Sequence, residues 1–166
     1  MELNTAVRLI QNGIPKTDDR QFWADFGAGR GLFTTALSRL LPEGSSITAI
    51  DKETAALKQI SVNKGIQLET KALDFTSASI GLKDLDGILM ANALHYVKDQ
   101  TAFLEKLKKI TSRIILVEYD TDKSNPWVPY PISFNKLKSF QLDVKQIGEE
   151  PSVYQKGGMY SALILF

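Results

Sequence analysis

Residues 22–37 read Phe22-Trp23-Ala24-Asp25-Phe26-Gly27-Ala28-Gly29-Arg30-Gly31-Leu32-Phe33-Thr34-Thr35-Ala36-Leu37, and this stretch decides the fold. A short apolar run carries a carboxylate, three glycines then alternate with larger residues, and an apolar stripe at helical spacing follows. Glycine suits a backbone that turns at positive φ or must approach a ligand closely. Between a strand and a helix N-terminus, such a turn is expected to leave backbone N–H groups free for a polar ligand.

The rest of the chain alternates strand-like apolar runs with helical stripes. Strands are predicted near residues 22–26, 47–50, 66–71, 86–91, 114–117, 142–147 and 160–166. Helices are predicted over the first dozen residues and near 32–41, 53–64, 99–110 and 133–140. This alternation predicts an α/β fold with a Rossmann-like, doubly wound and mostly parallel seven-stranded sheet. A loop containing Gly157 and Gly158 predicts a closing antiparallel hairpin, and no linker divides residues 1–166, which are predicted to form one domain.

The composition limits the classes of function. Lys and Arg number 20 against 19 Asp and Glu, so no strongly basic face for nucleic acid is indicated. With no Cys and one His, the chain cannot form disulfides, thiolate metal sites, a cysteine nucleophile or a His-rich metal site. No apolar run is long enough for a leader or a membrane span, so a soluble, cytoplasmic protein without a membrane partner is predicted.

Polar side chains follow the predicted strands at the edge where open α/β sheets bind ligands. Asp51, Asp74 and Asn92 come directly after the second, third and fourth strands. Asp51 lies 20 residues beyond Gly31, the spacing of a carboxylate that binds the ribose hydroxyls of an adenosine. Its alternative role is to cap the next helix. The glycine turn at this distance favours the ribose.

The acidic residue Asp25, two positions before the first glycine of Gly27-x-Gly29-x-Gly31, resembles motif I of the class I S-adenosylmethionine (SAM)-dependent methyltransferases. The dinucleotide fingerprint has Gly-x-Gly-x-x-Gly instead. The resemblance covers essentially the whole chain, since seven strands with a closing antiparallel strand match the fold of that family. It implies that S-adenosyl-L-methionine is the cofactor.

The resemblance also implies the cofactor contacts. Asp74 would accept from the exocyclic amine of adenine with Phe75 covering the ring, unless Asp74 is an ordinary turn residue. Asp25 would either brace the glycine loop or lie near the methionyl amino group, and Asn92 would lie beside the methionyl part. The predicted cofactor-binding set is Asp25, Gly27, Ala28, Gly29, Gly31, Asp51, Lys52, Asp74, Phe75 and Asn92.

A second stretch, Ala91-Asn92-Ala93-Leu94-His95-Tyr96-Val97-Lys98-Asp99, resembles the segment after strand four in small-molecule methyltransferases. That segment often reads Leu-His-His-x-x-Asp, and Tyr96 stands here in place of the second His. Histidine is the residue type that most often serves as a general base near neutral pH, so His95 is the candidate catalytic base for a substrate hydroxyl or amine. The alternative, and the more common case, is a structural histidine that tethers the loop.

Aromatic residues follow the fifth strand in a proline-rich loop, on the side where the substrate pocket of such folds opens. Trp127 and Tyr130 either form a wall for an apolar acceptor or close the edge of the sheet. Together with His95 and Tyr119 they make the predicted substrate-binding set. No metal site is predicted, because Asp120 and Asp122 do not complete a three-carboxylate pattern.

The sequence therefore predicts an enzyme that transfers a methyl group from SAM to a small-molecule acceptor. SAM is already activated, so the protein chiefly has to align the reactants and exclude water. The chain leaves little room for a lid over the substrate, which suggests a second copy or a partner protein. Three alternatives stay open: a non-catalytic SAM-binding partner subunit, an RNA- or protein-directed methyltransferase, and an NAD(P)-dependent oxidoreductase. The last is disfavoured by the glycine spacing and by the lack of a Tyr-x-x-x-Lys pair.

Overall fold

A computed structural model describes residues 1–76, 80–152 and 158–166. Within these residues the strands are β1 (Phe22–Phe26), β2 (Ser46–Asp51), β3 (Gln67–Ala72), β4 (Gly87–Ala91), β5 (Arg113–Tyr119), β6 (Asp143–Glu150) and β7 (Met159–Leu165). The α-helices are α1 (Leu3–Ile10), α2 (Leu32–Ser38), α3 (Thr54–Leu57), α4 (Gln100–Leu107) and α5 (Phe134–Lys138). Short 3₁₀ turns cover Gln11–Gly13 and Leu94–Tyr96.

The strands form a seven-stranded sheet in the order β3-β2-β1-β4-β5-β7-β6. Strands β1 to β5 pair in parallel, whereas β7 runs antiparallel to both of its neighbours, β5 and β6. The predicted α/β fold with a mostly parallel sheet and one antiparallel C-terminal strand is confirmed. The predicted hairpin loop falls partly on Gly157, which lies outside the described residues. The strand order reverses between β1 and β4, and ligands bind at such a switch point.

Apolar side chains of the central strands alternate between two cores, one on each face of the sheet. In β4, Ile88 and Met90 enter one core, whereas Leu89 enters the other. Helices α4 and α5 cover the first core, and α1 and α2 cover the second. Burial on both faces explains why the central strands are nearly continuous apolar runs.

The helix predicted near residues 53–64 is wrong in its extent, because α3 ends at Leu57. The segment after Leu57 forms hydrogen bonds with side chains of α2 instead of continuing as a helix. The hydroxyl of Thr35 donates to the carbonyl of Ser61 at 2.7 Å, and the hydroxyl of Ser38 accepts from the Asn63 amide at 3.0 Å. These bonds occupy backbone groups that a longer α3 would have used internally, and the β-branched residues there are weak helix formers.

We expect Gly87→Ala to destabilise the fold, because the added Cβ would lie 2.4 Å from the ring of Trp23. That ring is buried and donates its Nε1–H to Gln21 at 2.9 Å, so it cannot move aside freely. Overpacking of this kind lowers the free energy of unfolding by about 1–3 kcal/mol. Urea unfolding measures it, with substitution of the exposed α4 residue, Thr101→Ala, as a control that changes stability by less than about 0.5 kcal/mol. A Gly87→Ala protein as stable as the parent would contradict the expectation.

Candidate functional site

A cleft of about 420 Å³ opens at the carboxyl ends of β1, β2, β3 and β4, beside the switch point. It is lined by Gly27, Asp51, Lys52, Leu73, Asp74, Phe75, Thr76, Asn92, Ala93 and Tyr96. Six residues of the predicted cofactor-binding set are therefore brought together here: Gly27, Asp51, Lys52, Asp74, Phe75 and Asn92. The other four members, Asp25, Ala28, Gly29 and Gly31, support the loop at the cleft and do not line it.

The three glycines of the turn all have positive φ, at 75° for Gly27, 53° for Gly29 and 85° for Gly31. A Cβ on Gly27 would lie 2.6 Å from the Cβ of Ala93, and one on Gly31 would lie 2.7 Å from Ile60. A Cβ on Gly29 would meet nothing within 4 Å. Close packing thus requires the outer glycines, whereas the middle one leaves open space above the backbone.

Four of the five backbone amides in residues 27–31 are already bonded, so the expectation that they are free for a ligand is wrong for those four. The amides of Gly27 and Ala28 both donate to the carbonyl of Ile50, at 2.8 and 3.0 Å. The amide of Gly29 donates to Oδ2 of Asp51 at 2.8 Å, and that of Gly31 donates to the carbonyl of Ala28 at 2.9 Å. Because these bonds use most of the turn amides, side chains around the cleft must supply much of the hydrogen bonding to a ligand.

Asp51 holds the loop and faces the cleft at the same time. Its Oδ1 accepts from the Glu53 amide at 2.9 Å, while Oδ2 takes the Gly29 amide. The N-cap position of α3 is occupied by Glu53, so the capping role proposed for Asp51 is wrong. Each carboxylate oxygen has two lone pairs, so both oxygens of this half-buried side chain can accept one more hydrogen bond.

Asp25 lies beneath the loop and is almost completely buried. Burial raises the pKa of its carboxyl group to about 7, opposed by a hydrogen bond from Thr34 and assisted by the charge of Asp51. The Thr34 hydroxyl donates to Oδ2 of Asp25 at 2.6 Å, which joins α2 to β1. This geometry agrees with the bracing role. Thr34 was not among the residues predicted from the sequence, where its signal was a hydroxyl within the apolar stripe of the helix.

Asn92 has a positive φ, and its side-chain oxygen lacks a hydrogen-bond partner among the described residues. Its φ is 53°, and its amide donates to the carbonyl of Val117 at 2.8 Å. Its Oδ1 is buried and has no hydrogen-bond partner among the described residues. A buried acceptor without a partner costs about 1–3 kcal/mol, so an atom in this position favours a ligand that brings a donor.

Asp74 and Phe75 form the far side of the cleft. The exposed Asp74 accepts at Oδ1 from the amide of Thr76 at 2.9 Å and from its hydroxyl at 2.6 Å, which makes a local turn. Phe75 is 8% exposed, and its ring centroid lies 5.8 Å from those of Phe26 and Phe103. Phe75 therefore belongs to the core and offers an apolar margin to the cleft.

His95 is tethered by Glu118, which was not among the residues predicted from the sequence. Nδ1 of the ring lies 2.7 Å from Oε2 of Glu118, and the His95 amide donates to Oε1 at 3.2 Å. Both side chains are buried, and the His95 carbonyl accepts from the Tyr130 amide at 3.0 Å. The arrangement ties the segment after β4 to β5 and to the proline-rich loop, as expected for a structural histidine. The signal for Glu118 was a carboxylate at the end of the most apolar strand.

The predicted substrate-binding residues are only partly brought together. The ring centroid of His95 lies 6.3 Å from Tyr119 and 4.4 Å from Tyr96. Tyr96, noted in the sequence only as a departure from the pattern, lines the cleft and is 52% exposed. Trp127 is 79% exposed, because a turn closed by its amide on Asn125 carries it outward. It neither closes the sheet edge nor packs into a wall.

The described ranges contain no cluster of three or more side chains suited to hold a metal ion. Within the same ranges, no helix has the length and apolarity needed to cross a membrane.

A family model described as a methyltransferase domain matches residues 24–113, which is more than half of the chain. A search of curated protein sequences gave no significant match.

Solved structures share the fold at low sequence identity. The N-terminal domain of EvdMO1 with S-adenosylhomocysteine (SAH) bound has a TM-score of 0.67 and 14% identity, over 98% of this chain and 79% of that one. Magnesium protoporphyrin IX methyltransferase from Synechocystis PCC 6803, with bound SAM, has a TM-score of 0.67 and 13% identity, over 98% and 76%. The plantazolicin methyltransferase BpumL in complex with SAH has a TM-score of 0.66 and 14% identity, over 98% and 82%.

We expect Asp25→Asn to change how stability depends on pH. Since the pKa of Asp25 is raised from 3.8 to about 7 on folding, the folded protein binds this proton more tightly than the unfolded chain. Its contribution to stability is complete below the unfolded pKa and is lost as pH rises towards 7, at up to about 1.4 kcal/mol per pH unit. Asparagine keeps an acceptor for Thr34 and does not titrate.

Urea unfolding at pH 5 and pH 7 tests this expectation. The stability of Asp25→Asn relative to the parent should rise by about 2 kcal/mol between the two, with exposed Asp18→Asn showing no such change. Parallel pH profiles for Asp25→Asn and the parent would rule out the raised pKa.

We expect Glu118→Ala to cost about 2–4 kcal/mol of unfolding free energy, because it leaves the His95 amide and Nδ1 without partners in a buried site. Glu149→Ala on exposed β6 is the matched control and should change stability little. Equal unfolding midpoints for the two variants would show that the Glu118–His95 pair does not hold the loop.

Proposed function

The chain belongs to the methyltransferase domain family, and from this premise we propose that it transfers the methyl group of SAM to a small-molecule acceptor. The family resemblance carried by Asp25 and the glycine turn is confirmed, and with it an enzyme of the SAM-dependent class.

The observation that carries the proposal is the buried Oδ1 of Asn92, which has no partner in the described part of the chain and adjoins the cleft. The methionyl portion of SAM ends in an ammonium group, whose N–H donors suit such an acceptor. Asp51 retains lone pairs for the two ribose hydroxyls, and an apolar margin at Phe75 suits the adenine. The residues present therefore fit this cofactor.

SAM supplies a methyl group on positively charged sulfur: transfer breaks that carbon–sulfur bond, leaves its electron pair on sulfur as SAH, and joins the carbon to the acceptor, whose proton is released. The role of this chain is to orient both molecules and exclude water. Asp51 and Asn92 would fix the two ends of the cofactor. His95 would hold the wall beside it through Glu118.

A small acceptor is supported by the charge of the chain and by the proteins of like fold. The net charge of +1 gives no general attraction for nucleic acid. Two proteins of like fold are named for magnesium protoporphyrin IX and for plantazolicin, which favours a small-molecule acceptor here as well.

We expect Asn92→Gly to weaken the binding of SAM and SAH about tenfold, because a ligand ammonium loses a charge-assisted hydrogen bond. Glycine tolerates the positive φ of this position, so the loop keeps its conformation. Asp84→Gly is the matched control, since Asp84 also has a φ of 53° and does not line the cleft. Isothermal titration measures both variants.

The same titration on Asp51→Ala and with NADH separates the alternatives. We expect Asp51→Ala to bind SAH at least tenfold more weakly, and the parent to bind SAM and SAH but not NADH. Tighter binding of NADH would favour an oxidoreductase. SAM binding without methylation of any acceptor would favour a non-catalytic partner subunit, which shares this cleft. Asn92→Gly binding as tightly as Asp84→Gly would overturn the assignment of Asn92.

A further inference from the structure

A groove of about 430 Å³ adjoins the cofactor cleft and shares Thr76 and Tyr96 with it. Tyr96 stands between the two spaces with half of its surface exposed. The groove is lined by Thr76, Tyr96, Val97, Lys98, Asp99, Ala102, Phe103, Lys106 and Tyr130. A molecule in this groove would lie directly beside the cleft that we assign to the cofactor.

The aromatic walls of the groove are held in place. The Tyr96 ring packs 4.4 Å from the His95 ring, centroid to centroid. The Tyr130 amide donates to the His95 carbonyl at 3.0 Å, and the Tyr130 carbonyl accepts from Nε2 of buried Gln100 at 2.7 Å. Tyr130 is 38% exposed and Tyr96 is 52% exposed, so both residues present surface to a ligand. Flat apolar molecules are the ligands that such walls favour.

The polar side of the groove carries unpaired positive charge. Lys98 and Lys106 are exposed, and neither forms an ion pair with any residue that the structure describes. The carboxylate in the groove, that of Asp99, accepts from the Ala102 amide at 3.0 Å and so caps α4. Two ammonium groups therefore face one carboxylate, which leaves a net positive charge for an anionic ligand group.

We propose that this groove is the acceptor site and takes a small molecule that combines an aromatic ring with an anionic group. The inference rests on the proposed function, because it assumes that the methyl donor occupies the neighbouring cleft. The ring packs between Tyr96 and Tyr130, and the carboxylate, sulfonate or phosphate of the ligand lies at Lys98 and Lys106.

The test uses two fluorescent probes of nearly equal shape, 8-anilinonaphthalene-1-sulfonate and its neutral counterpart N-phenyl-1-naphthylamine. Both are titrated into the full chain with and without saturating SAH. We expect the sulfonate to bind about tenfold more tightly than the neutral probe, since it alone meets the ammonium groups. Equal affinities, or no binding of the sulfonate in the presence of SAH, would overturn the proposal.

Lysine variants locate the bound probe. The double variant Lys98→Ala/Lys106→Ala should weaken sulfonate binding about tenfold and leave neutral-probe binding unchanged. The matched control Lys109→Ala removes a lysine that lines a different concavity, and should change affinity by less than about twofold. A partly folded variant would bind the sulfonate more strongly, and a fully unfolded one would lose both probes, so a loss confined to the sulfonate cannot come from loss of folding. Unchanged sulfonate affinity in the double variant would overturn the assignment.

Tyr96→Leu and SAH titration complete the test. Tyr96→Leu should weaken both probes, because it removes the ring surface that they share, whereas unchanged binding would contradict the aromatic wall. The lysine variants should bind SAH as the parent does, since neither lysine lines the cleft. If the parent bound no SAH but the lysine dependence of the sulfonate held, the cofactor proposal would fail and the anion site would stand.

Discussion

The glycine turn is held by the carboxyl end of β2, and the rest of the site depends on that contact. The Ile50 carbonyl accepts two amides of the turn, and the Asp51 carboxylate accepts a third. These bonds join the turn that follows β1 to the end of β2. The same carboxylate lines the cleft, so one side chain both builds the turn and offers its remaining lone pairs to a ligand.

Two buried acids brace the site. Asp25 lies under the turn and accepts from Thr34, while Glu118 lies near the end of β5, accepts from the His95 amide and pairs with Nδ1 of its ring. Burying such groups is costly unless they are hydrogen-bonded, and each has a partner from another element of the fold. Each pair therefore links two segments: Asp25 joins β1 to α2, and Glu118 joins β5 to the segment that carries Asn92 and Tyr96.

Elements with a strong periodic pattern were predicted correctly from the sequence. Elements whose extent or direction depends on side-chain hydrogen bonds to the backbone were not. The seven strands and their mostly parallel arrangement followed from alternating apolar runs, and the sheet has them in order. The helix near residues 53–64 was too long because Thr35 and Ser38 bind the backbone of the following segment. Trp127 was placed near the site by its position after β5, but a local turn on Asn125 directs it to solvent.

The sequence determined the sheet, the positions of the glycines and the polar residues at the strand ends, because period and spacing are local properties of the chain. It also carried the family, through Asp25 and the Gly-x-Gly-x-Gly spacing. Tertiary structure decided how those residues are used. Four amides of the turn are already bonded, the buried Oδ1 of Asn92 has no hydrogen-bond partner among the described residues, and Glu118 holds His95. These features depend largely on contacts between residues distant in sequence. Such contacts leave no periodic signal, because they arise only when the strands pair and their ends meet at one edge of the sheet.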